Sequence, residues 1–275
     1  MNKTIKNIKL NLETLYQDYI NYSNINDPQS PNYNHKYFNE LINNINLYQE
    51  DTRIGVIKLV SFYKGKILKQ QQLQNKFKNM LYIEEIAYSK GFSMVAGLDE
   101  VGRGPFAGPL ISASVILPKD FYILGIDDSK KLSEEQRYYF FDYIIKHCTE
   151  YTINCVEPNI IDKINILQAT KLSMLENINA FKNKPEYLIV DAVELNTNLP
   201  NYTTPKADEL SISVACASII AKVTRDKIML DYDSQYPEYG FAKNKGYGTE
   251  EHQKALRKHG PCPIHRKTFI KNTLN

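Results

Sequence analysis

A short apolar run near residue 187 constrains the fold more than any other feature of the sequence. Pro185 introduces the run YLIV, residues 187–190, which has the length of a strand and is apolar throughout. A strand of this kind is buried on both faces, so helices must cover both faces of its sheet. Strand-like runs at 95–102, 110–118 and 151–156 precede it, and helical patterns then alternate with strands. This order predicts an α/β fold in which helices flank a mixed β-sheet.

The spacing of apolar residues predicts the helices. In the N-terminal third it favours helices around 5–20, 36–49 and 65–89, with a loop over NDPQSPNYN, residues 26–34. Ser133, followed by Gln136 three residues later, predicts a capping box that opens a helix to about His147. Further helices are expected to carry residues 161–178 and 209–226. At Phe92 the sequence changes from helical spacing of apolar residues to strand-like runs and glycine turns. We therefore predict a helical extension over 1–92 and a second domain over 93–275.

Length and composition bound the class of protein. A chain of 275 residues with 43% hydrophobic and 24% charged residues can bury a core without disulfides or a structural metal. No apolar run approaches the ~18 to 20 residues that span a bilayer, and no secretory signal is visible. The four cysteines form no CxxC pair, which fits a reducing compartment. We therefore expect a cytoplasmic protein that does not contact membranes.

Four acidic residues occupy positions where chemistry is expected. Asp99 and Glu100 stand where a strand runs into a glycine turn, and Asp191 directly follows YLIV. Open α/β sheets bind ligands at the carboxyl ends of their strands. Asp208 precedes a helix, where a simple N-cap is the alternative role.

The type of ligand atom indicates which metal these acids would bind. Oxygen ligands without a matched His/Cys set favour Mg²⁺ or Mn²⁺ over zinc. If the four carboxylates converge, their four negative charges balance the positive charges of two divalent ions. A pair of such ions can activate water and stabilise the leaving oxygen of a phosphodiester. The acidic middle of the chain, which lies between basic flanks, fits such a site framed by an anion-binding surface.

Two other sites are suggested by motifs and are less favoured. Residues 102–107 satisfy the glycine pattern of a dinucleotide-binding oxidoreductase, but prolines lead on into a strand where that site needs a helix. His259, Cys262 and His265 could suggest zinc, although they lack the usual paired spacing and a fourth ligand. A surface loop is the preferred interpretation of the second motif.

Several blocks together resemble bacterial ribonuclease HII across roughly residues 93–275: AGLDEVGRGPFAGPL, DSKKLS, KADELSISVACASIIAKVTRD, KGYGTEEH and HGPCPIHRKTF. The resemblance implies a ribonuclease H-like fold and a monomer. It also implies cleavage of the RNA strand of RNA–DNA hybrids and nicking on the 5′ side of single ribonucleotides in duplex DNA, with two Mn²⁺ or Mg²⁺ ions. The N-terminal segment, including DTRIGV, is similar to a helical extension of some relatives. The alternatives are a ribonuclease HIII, whose N-terminal domain is a β-sheet platform, and a non-catalytic nucleic-acid-binding module.

The resemblance also implies roles for individual residues. The family's four metal-binding carboxylates match Asp99, Glu100, Asp191 and Asp208. The loop that reads the ribose 2′-hydroxyl matches Gly102, Arg103 and Gly104. The tyrosine that stacks on the sugar at the junction matches Tyr247. Lys130 and Arg225 lie in blocks where contacts to phosphate are implied. The 2′-hydroxyl is what distinguishes RNA from DNA at a given site, and glycines allow the backbone to approach it. One departure is Ala207, where the family often has glycine.

Overall fold

The computed structural model describes residues 3–25 and 34–274. Contacts divide the chain into two compact units. One unit contains the residues up to Lys78 together with Tyr122–Gly125, and the other contains the rest of the chain from Asn79 onward. None of the helices in the described ranges is long and apolar enough to cross a membrane.

The first unit is helical, as predicted. It consists of α1 (Ile5–Ile25), α2 (Asn34–Leu47) and most of α3 (Ile54–Met80). The predicted loop over 26–34 lies almost wholly outside the described residues. Helix α3 begins eleven residues before the predicted start at Gly65, because a single glycine costs a helix only about 1 kcal/mol. The buried side chains on either side of that glycine, Val60 and Ile67, hold the helix in the core of this unit.

The second unit contains a five-stranded mixed sheet. Its strands are β1 (Val95–Val101), β2 (Leu110–Ile116), β3 (Glu150–Val156), β4 (Tyr187–Asp191) and β5 (Asn201–Thr204). The order across the sheet is β3-β2-β1-β4-β5. Strand β1 pairs antiparallel with β2 and parallel with β4, which also pairs parallel with β5. The predicted mixed sheet is confirmed, whereas β5 was not predicted because NYTT is short, polar and partly exposed at the sheet edge.

The helices of the second unit are α4 (Tyr82–Ser89), α5 (Glu134–His147), α6 (Pro158–Ile164), α7 (Ile166–Ala180), α8 (Ile212–Gln235), α9 (Phe241–Asn244), α10 (Glu250–His259) and α11 (Lys267–Leu274). Helix α5 opens with the predicted capping box. The single helix predicted over 161–178 is wrong, because Asn165 adopts φ +65° and separates α6 from α7. Its side chain accepts hydrogen bonds from the first turn of α7, which compensates for the break.

Helices cover both faces of the sheet, as the apolar run at β4 requires. Ala96 and Leu98 face α7, while Val95 and Gly97 face α8, following the alternation of side chains along a strand. A Cβ atom at Gly97 would collide with the backbone at Ser213. Glycine at this position therefore lets the first turn of α8 lie directly against the central strand.

Helix α4 is attached to the sheet unit through a buried carboxylate. Glu84 accepts hydrogen bonds from the Ser211 hydroxyl at 2.5 Å, the Ser213 hydroxyl at 2.7 Å and the Ser213 amide at 3.0 Å. This places a carboxylate at the N-terminal end of α8, where the helix dipole favours negative charge. The predicted boundary between residues 92 and 93 thus lies after α4, whereas the contacts divide the chain near Lys78.

Glu84 leads to a prediction about pH. Burial raises its pKa above 4.5, so the folded chain retains a proton that the unfolded chain releases as the pH rises through this range. The free energy of unfolding should then fall with rising pH, and the loss should be absent in Glu84→Gln. We expect the wild type to lose up to about 1.4 kcal/mol per pH unit relative to the variant.

Urea unfolding at a series of pH values, starting below 4.5, measures this difference. The exposed Glu85 of the same helix provides a matched control, Glu85→Gln, which should follow the wild type. If the difference in free energy of unfolding between the wild type and Glu84→Gln does not change with pH, the prediction is contradicted.

Candidate active site

Two of the predicted acids lie side by side because their strands are parallel neighbours. Leu98 of β1 is opposite Val190 of β4, and the next residue on each strand is an aspartate, Asp99 and Asp191. Asp99 is buried, and its Oδ1 accepts a hydrogen bond of 2.7 Å from the amide of Glu100. Glu100 is the next-to-last residue of β1. Both acids of the DE pair therefore stand at the strand end, where adjacent residues can serve one site.

The fourth acid is brought to the site by a short 3₁₀ turn, Ala207–Glu209. The amide of Ala207 donates a hydrogen bond of 2.8 Å to Asp191 Oδ1, and Asp208 follows it in the turn. The left-handed residue before this turn is Lys206, with φ +61°. Because Ala207 itself does not need positive φ, the replacement of the family's glycine by alanine leaves the position of Asp208 intact.

Burial and neighbouring negative charge raise the pKa values of three of the acids, Asp99, Glu100 and Asp208. Burial and then the charges of Glu100 and Asp191 hold the pKa of Asp99 well above its usual range. Burial, with Asp191, raises the pKa of Glu100 to about 7. Burial, followed by Asp128 and Asp191, raises the pKa of Asp208 to about 6. A charge acts in this way only on groups that are close to it, so Asp191 lies near each of the other three predicted acids.

The donor set suits a hard divalent cation. All four side chains offer oxygen, which Mg²⁺ and Mn²⁺ prefer. Glu100 Oε2 is buried and accepts no hydrogen bond from any described residue, so one oxygen has no donor to compensate its burial. Within residues 3–25 and 34–274, no three His, Cys, Asp or Glu side chains are already arranged to hold an ion. The positive charge of a cation bound there would offset the repulsion between the carboxylates.

Residues around the acids complete the site, and sequence reasoning missed three of them. Ser218 of α8 donates a hydrogen bond to Asp99, and its hydroxyl lies 3.0 Å from that of Ser129. Asp128, next to Ser129, acts on Asp208. Asp128 and Ser129 belong to the block DSKKLS and Ser218 to KADELSISVACASIIAKVTRD, but from DSKKLS only Lys130 was assigned a role in the site. The charge of Lys130 lowers the pKa of both Glu100 and Asp208, and its contact with a phosphate stays a prediction.

The segment over residues 102–109, which we call the glycine loop, adjoins the acids. Gly102 has φ +96°, and a Cβ atom there would lie 2.5 Å from the guanidinium of Arg225. The side chain of Arg103 is 42% exposed and approaches Glu100 Oε1 at 3.4 Å. A Cβ atom at Gly104 would be 3.9 Å from the ring of Tyr247, which is 44% exposed. The predicted substrate residues of this loop thus meet Tyr247 at one edge of the acidic cluster.

Arg225 does not occupy the position predicted for it. Its side chain has no exposed surface, and it donates to the carbonyl oxygens of Pro109, Ala107 and Lys245 at 2.9 to 3.1 Å. A guanidinium committed to the backbone in this way cannot reach a phosphate at the surface. The predicted phosphate contact is corrected to a role in holding the glycine loop.

A second buried arginine, Arg266, shares this role. It donates to the carbonyl oxygens of Gly102 at 2.6 Å, Gly108 at 2.8 Å and Arg103 at 3.0 Å. It also has no exposed surface. Sequence reasoning missed it because a basic residue in a polar block gives no signal of burial, although it lies within HGPCPIHRKTF.

The alternative sites gain no support. No helix follows the glycine pattern of residues 102–107, since β2 begins at Leu110, so the dinucleotide site is absent from this segment. His259 is exposed, whereas Cys262 and His265 contact each other and His265 contacts His252. In the described part of the chain these residues do not form a group that could hold a metal ion.

Comparison with known proteins identifies relatives along most of the chain. The family described as Ribonuclease HII matches residues 96–272, and its N-terminal domain matches 39–88. Ribonuclease HII of Enterococcus faecalis is 46% identical over 222 residues, which is 81% of this chain and 87% of the relative. Ribonuclease HII of Bacillus mycoides is 47% identical over 221 residues, 80% of this chain and 86% of the relative. The structure of ribonuclease H2 from Pyrococcus horikoshii OT3 is 28% identical, with a TM-score of 0.56, covering 66% of this chain and 96% of that one.

Proposed function

The chain belongs to the ribonuclease HII family and is an endoribonuclease of RNA–DNA hybrids, and we propose that it also nicks duplex DNA on the 5′ side of single embedded ribonucleotides. The ribonuclease H-like fold predicted from sequence is confirmed. The ribonuclease HIII alternative is disfavoured, because the N-terminal unit is helical and residues 39–88 match the N-terminal domain of ribonuclease HII.

The observation that carries the proposal is the group of acids around the ends of β1 and β4, where Asp191 raises the pKa values of Asp99, Glu100 and Asp208. Ribonucleases of this family depend on divalent metal ions, and the oxygen-only cluster with the unpaired Glu100 Oε2 fits such ions. Asp99, Glu100, Asp191 and Asp208 would hold two ions, Mg²⁺ or Mn²⁺. Ions held by these residues would supply activation of a water molecule and stabilisation of the leaving oxygen of the phosphodiester.

The protein's own groups account for substrate recognition. The glycine loop can bring backbone donors and acceptors to the 2′-hydroxyl, because the exposed Gly104 carries no side chain to block the approach. At Gly102 the absent side chain makes room for Arg225, which holds the loop in place. The partly exposed ring of Tyr247 offers a flat surface for a deoxyribose and fits poorly against an added hydroxyl. Lys130 and Arg103 supply positive charge beside the acids, where a phosphate must enter. Hydrolysis leaves 5′-phosphate and 3′-hydroxyl ends.

Two further expectations stay predictions. A cytoplasmic location is supported by the four cysteines, all of which are free thiols. The monomeric state rests on the resemblance to the family, and the duplex itself is the partner that the site calls for.

A cleavage gel tests the proposed function. The substrate is a DNA duplex with one ribonucleotide, incubated with Mg²⁺, with Mn²⁺ or with chelator, beside an all-DNA duplex. We expect a metal-dependent nick immediately 5′ of the ribonucleotide and no cleavage of the control. Cleavage of a uniform RNA–DNA hybrid without the nick would favour the ribonuclease HIII alternative. Binding without any cleavage would indicate a non-catalytic module.

A further inference from the structure

Four residues near the C-terminus form a continuous row of hydrogen bonds that ends at Tyr247. The amide of Cys262 lies 3.0 Å from His265 Nδ1, and the Cys262 thiol lies 3.1 Å from the same atom. His265 Nε2 is 3.0 Å from His252 Nε2. His252 Nδ1 is 2.8 Å from the carbonyl oxygen of Tyr247. The row therefore links the C-terminal segment to the tyrosine beside the glycine loop.

The two ends of the row fix the positions of the protons. A carbonyl oxygen only accepts, so His252 Nδ1 carries a proton and donates it to Tyr247. A backbone amide only donates, so His265 Nδ1 accepts from Cys262, and its proton is on Nε2. In the middle, His265 Nε2–H then meets the free lone pair of His252 Nε2. The hydrogen bonds required at the two ends of the row are therefore compatible at its centre.

Only the neutral pair satisfies every bond in the row. An added proton on His252 Nε2 would face the proton of His265, and moving that proton to His265 Nδ1 would oppose the amide of Cys262. Both rings are buried, and burial lowers the pKa of both imidazoles, that of His265 to about 4. The aromatic rings of Phe106, Tyr239 and Phe241 surround them.

The segment around Tyr247 is packed closely against the glycine loop. Gly246 has φ +84° and packs against the carbonyl of Ala107, while Gly248 packs against the ring of Phe106. Within the segment, the peptide oxygen of Tyr247 accepts a hydrogen bond of 2.8 Å from the amide of Thr249. His252 Nδ1 is a second donor to the same oxygen, and it is the one that comes from a side chain of α10.

We propose that His252 and His265 are positioning residues that hold Tyr247 against the glycine loop and thereby set the preference for a DNA–RNA junction over a uniform hybrid. The inference rests on the proposed function, because the role of Tyr247 comes from there. Neither histidine is placed in contact with the substrate.

A pair of variants of nearly equal size separates hydrogen bonding from packing. His252→Asn keeps a donor where Nδ1 stands, whereas His252→Leu fills the apolar surroundings and donates nothing. We expect His252→Leu to lower the ratio of junction nicking to hybrid cleavage by ~10- to 100-fold, as a misplaced contact does. His252→Asn should stay close to the wild type. If packing alone matters, the order of the two variants reverses, which would overturn the proposal.

A second measurement reports the row directly. Ring ¹⁵N NMR of the full chain should show the proton on Nδ1 of His252 and on Nε2 of His265. The variant His265→Gln keeps an amide donor near Nε2, so it should preserve the preference for a junction. The exposed His259 on the same helix as His252 gives the control variant His259→Leu, with an unchanged ratio. The opposite tautomers in the folded wild type would refute the row.

Tyr247→Ala separates this inference from the proposed function. A loss of preference in Tyr247→Ala, without loss in His252→Leu, would overturn the positioning role and leave the function standing. An unchanged ratio in Tyr247→Ala would overturn the assigned role of the tyrosine and the positioning role that depends on it. Melting temperatures of all variants identify any that fail to fold.

Discussion

Replacement of Asp99 by asparagine is expected to abolish cleavage without unfolding the protein. The aspartate lies in the centre of the acidic cluster, so its loss should exceed the ~100-fold that removal of an outer-shell partner of a metal site costs. Asparagine keeps the shape and removes a charge that Glu100 and Asp191 oppose. The melting temperature at neutral pH should therefore be unchanged or higher, while single-turnover cleavage of the ribonucleotide substrate disappears. Asp191→Asn should behave in the same way.

The loss of cleavage rate is expected to differ between the acids. Asp208→Asn should reduce the rate less, because Asp208 enters from the turn beyond Asp191 and we expect it to contact one ion only. Glu209 in the same turn forms a surface ion pair with Lys131 at 2.9 Å, so Glu209→Gln is the matched control and should retain activity. Near-wild-type rates in Asp99→Asn, or a greater loss in Asp208→Asn, would contradict the assigned site.

Replacement of Arg266 by methionine is expected to have the largest effect on stability. Methionine keeps much of the apolar stem but leaves the carbonyl oxygens of Gly102, Arg103 and Gly108 without their donor. Each unpaired buried acceptor costs about 1 to 3 kcal/mol. We therefore expect the free energy of unfolding to fall by about 3 to 5 kcal/mol, measured by urea denaturation.

Two further variants show whether the hydrogen bonds or the charge are responsible. Arg266→Lys keeps the charge but cannot match the planar fork that reaches three carbonyls, so it should recover only part of the loss. Arg257 is exposed on α10, and Arg257→Met should change stability by less than about 0.5 kcal/mol. Equal losses in Arg266→Met and Arg257→Met would show that the buried hydrogen bonds contribute little.

The acids could be predicted from sequence because their positions follow from local patterns. The run YLIV predicted a buried strand, and Asp191 at its end was placed where α/β sheets bind ligands. The strand before the glycine turn placed Asp99 and Glu100 in the same way. The parallel pairing of β1 with β4 then makes these strand ends neighbours, which the sequence pattern left as a hypothesis.

The supporting residues could not be predicted, because their roles depend on partners far along the chain. Arg225 and Arg266 look like ordinary surface cations in sequence, yet both are buried against the glycine loop. The histidine row was missed for the same reason. A surface loop was the preferred interpretation of His259, Cys262 and His265, but His265 is buried and its partner is His252. Local spacing reports which residues are present and gives no information on which distant carbonyl or ring they meet.

The bond between Arg266 and Gly102 also has a consequence for how the enzyme is made in the cell. These residues are 164 positions apart in the chain. At the usual pace of translation, ~5 to 20 residues per second, the ribosome needs roughly 8 to 30 s to travel from one to the other. During that interval the nascent polypeptide comes to contain all four acids but not the arginine that orders the loop beside them. Substrate discrimination is therefore acquired only after Arg266 has been synthesised, later than the strands that carry the chemistry.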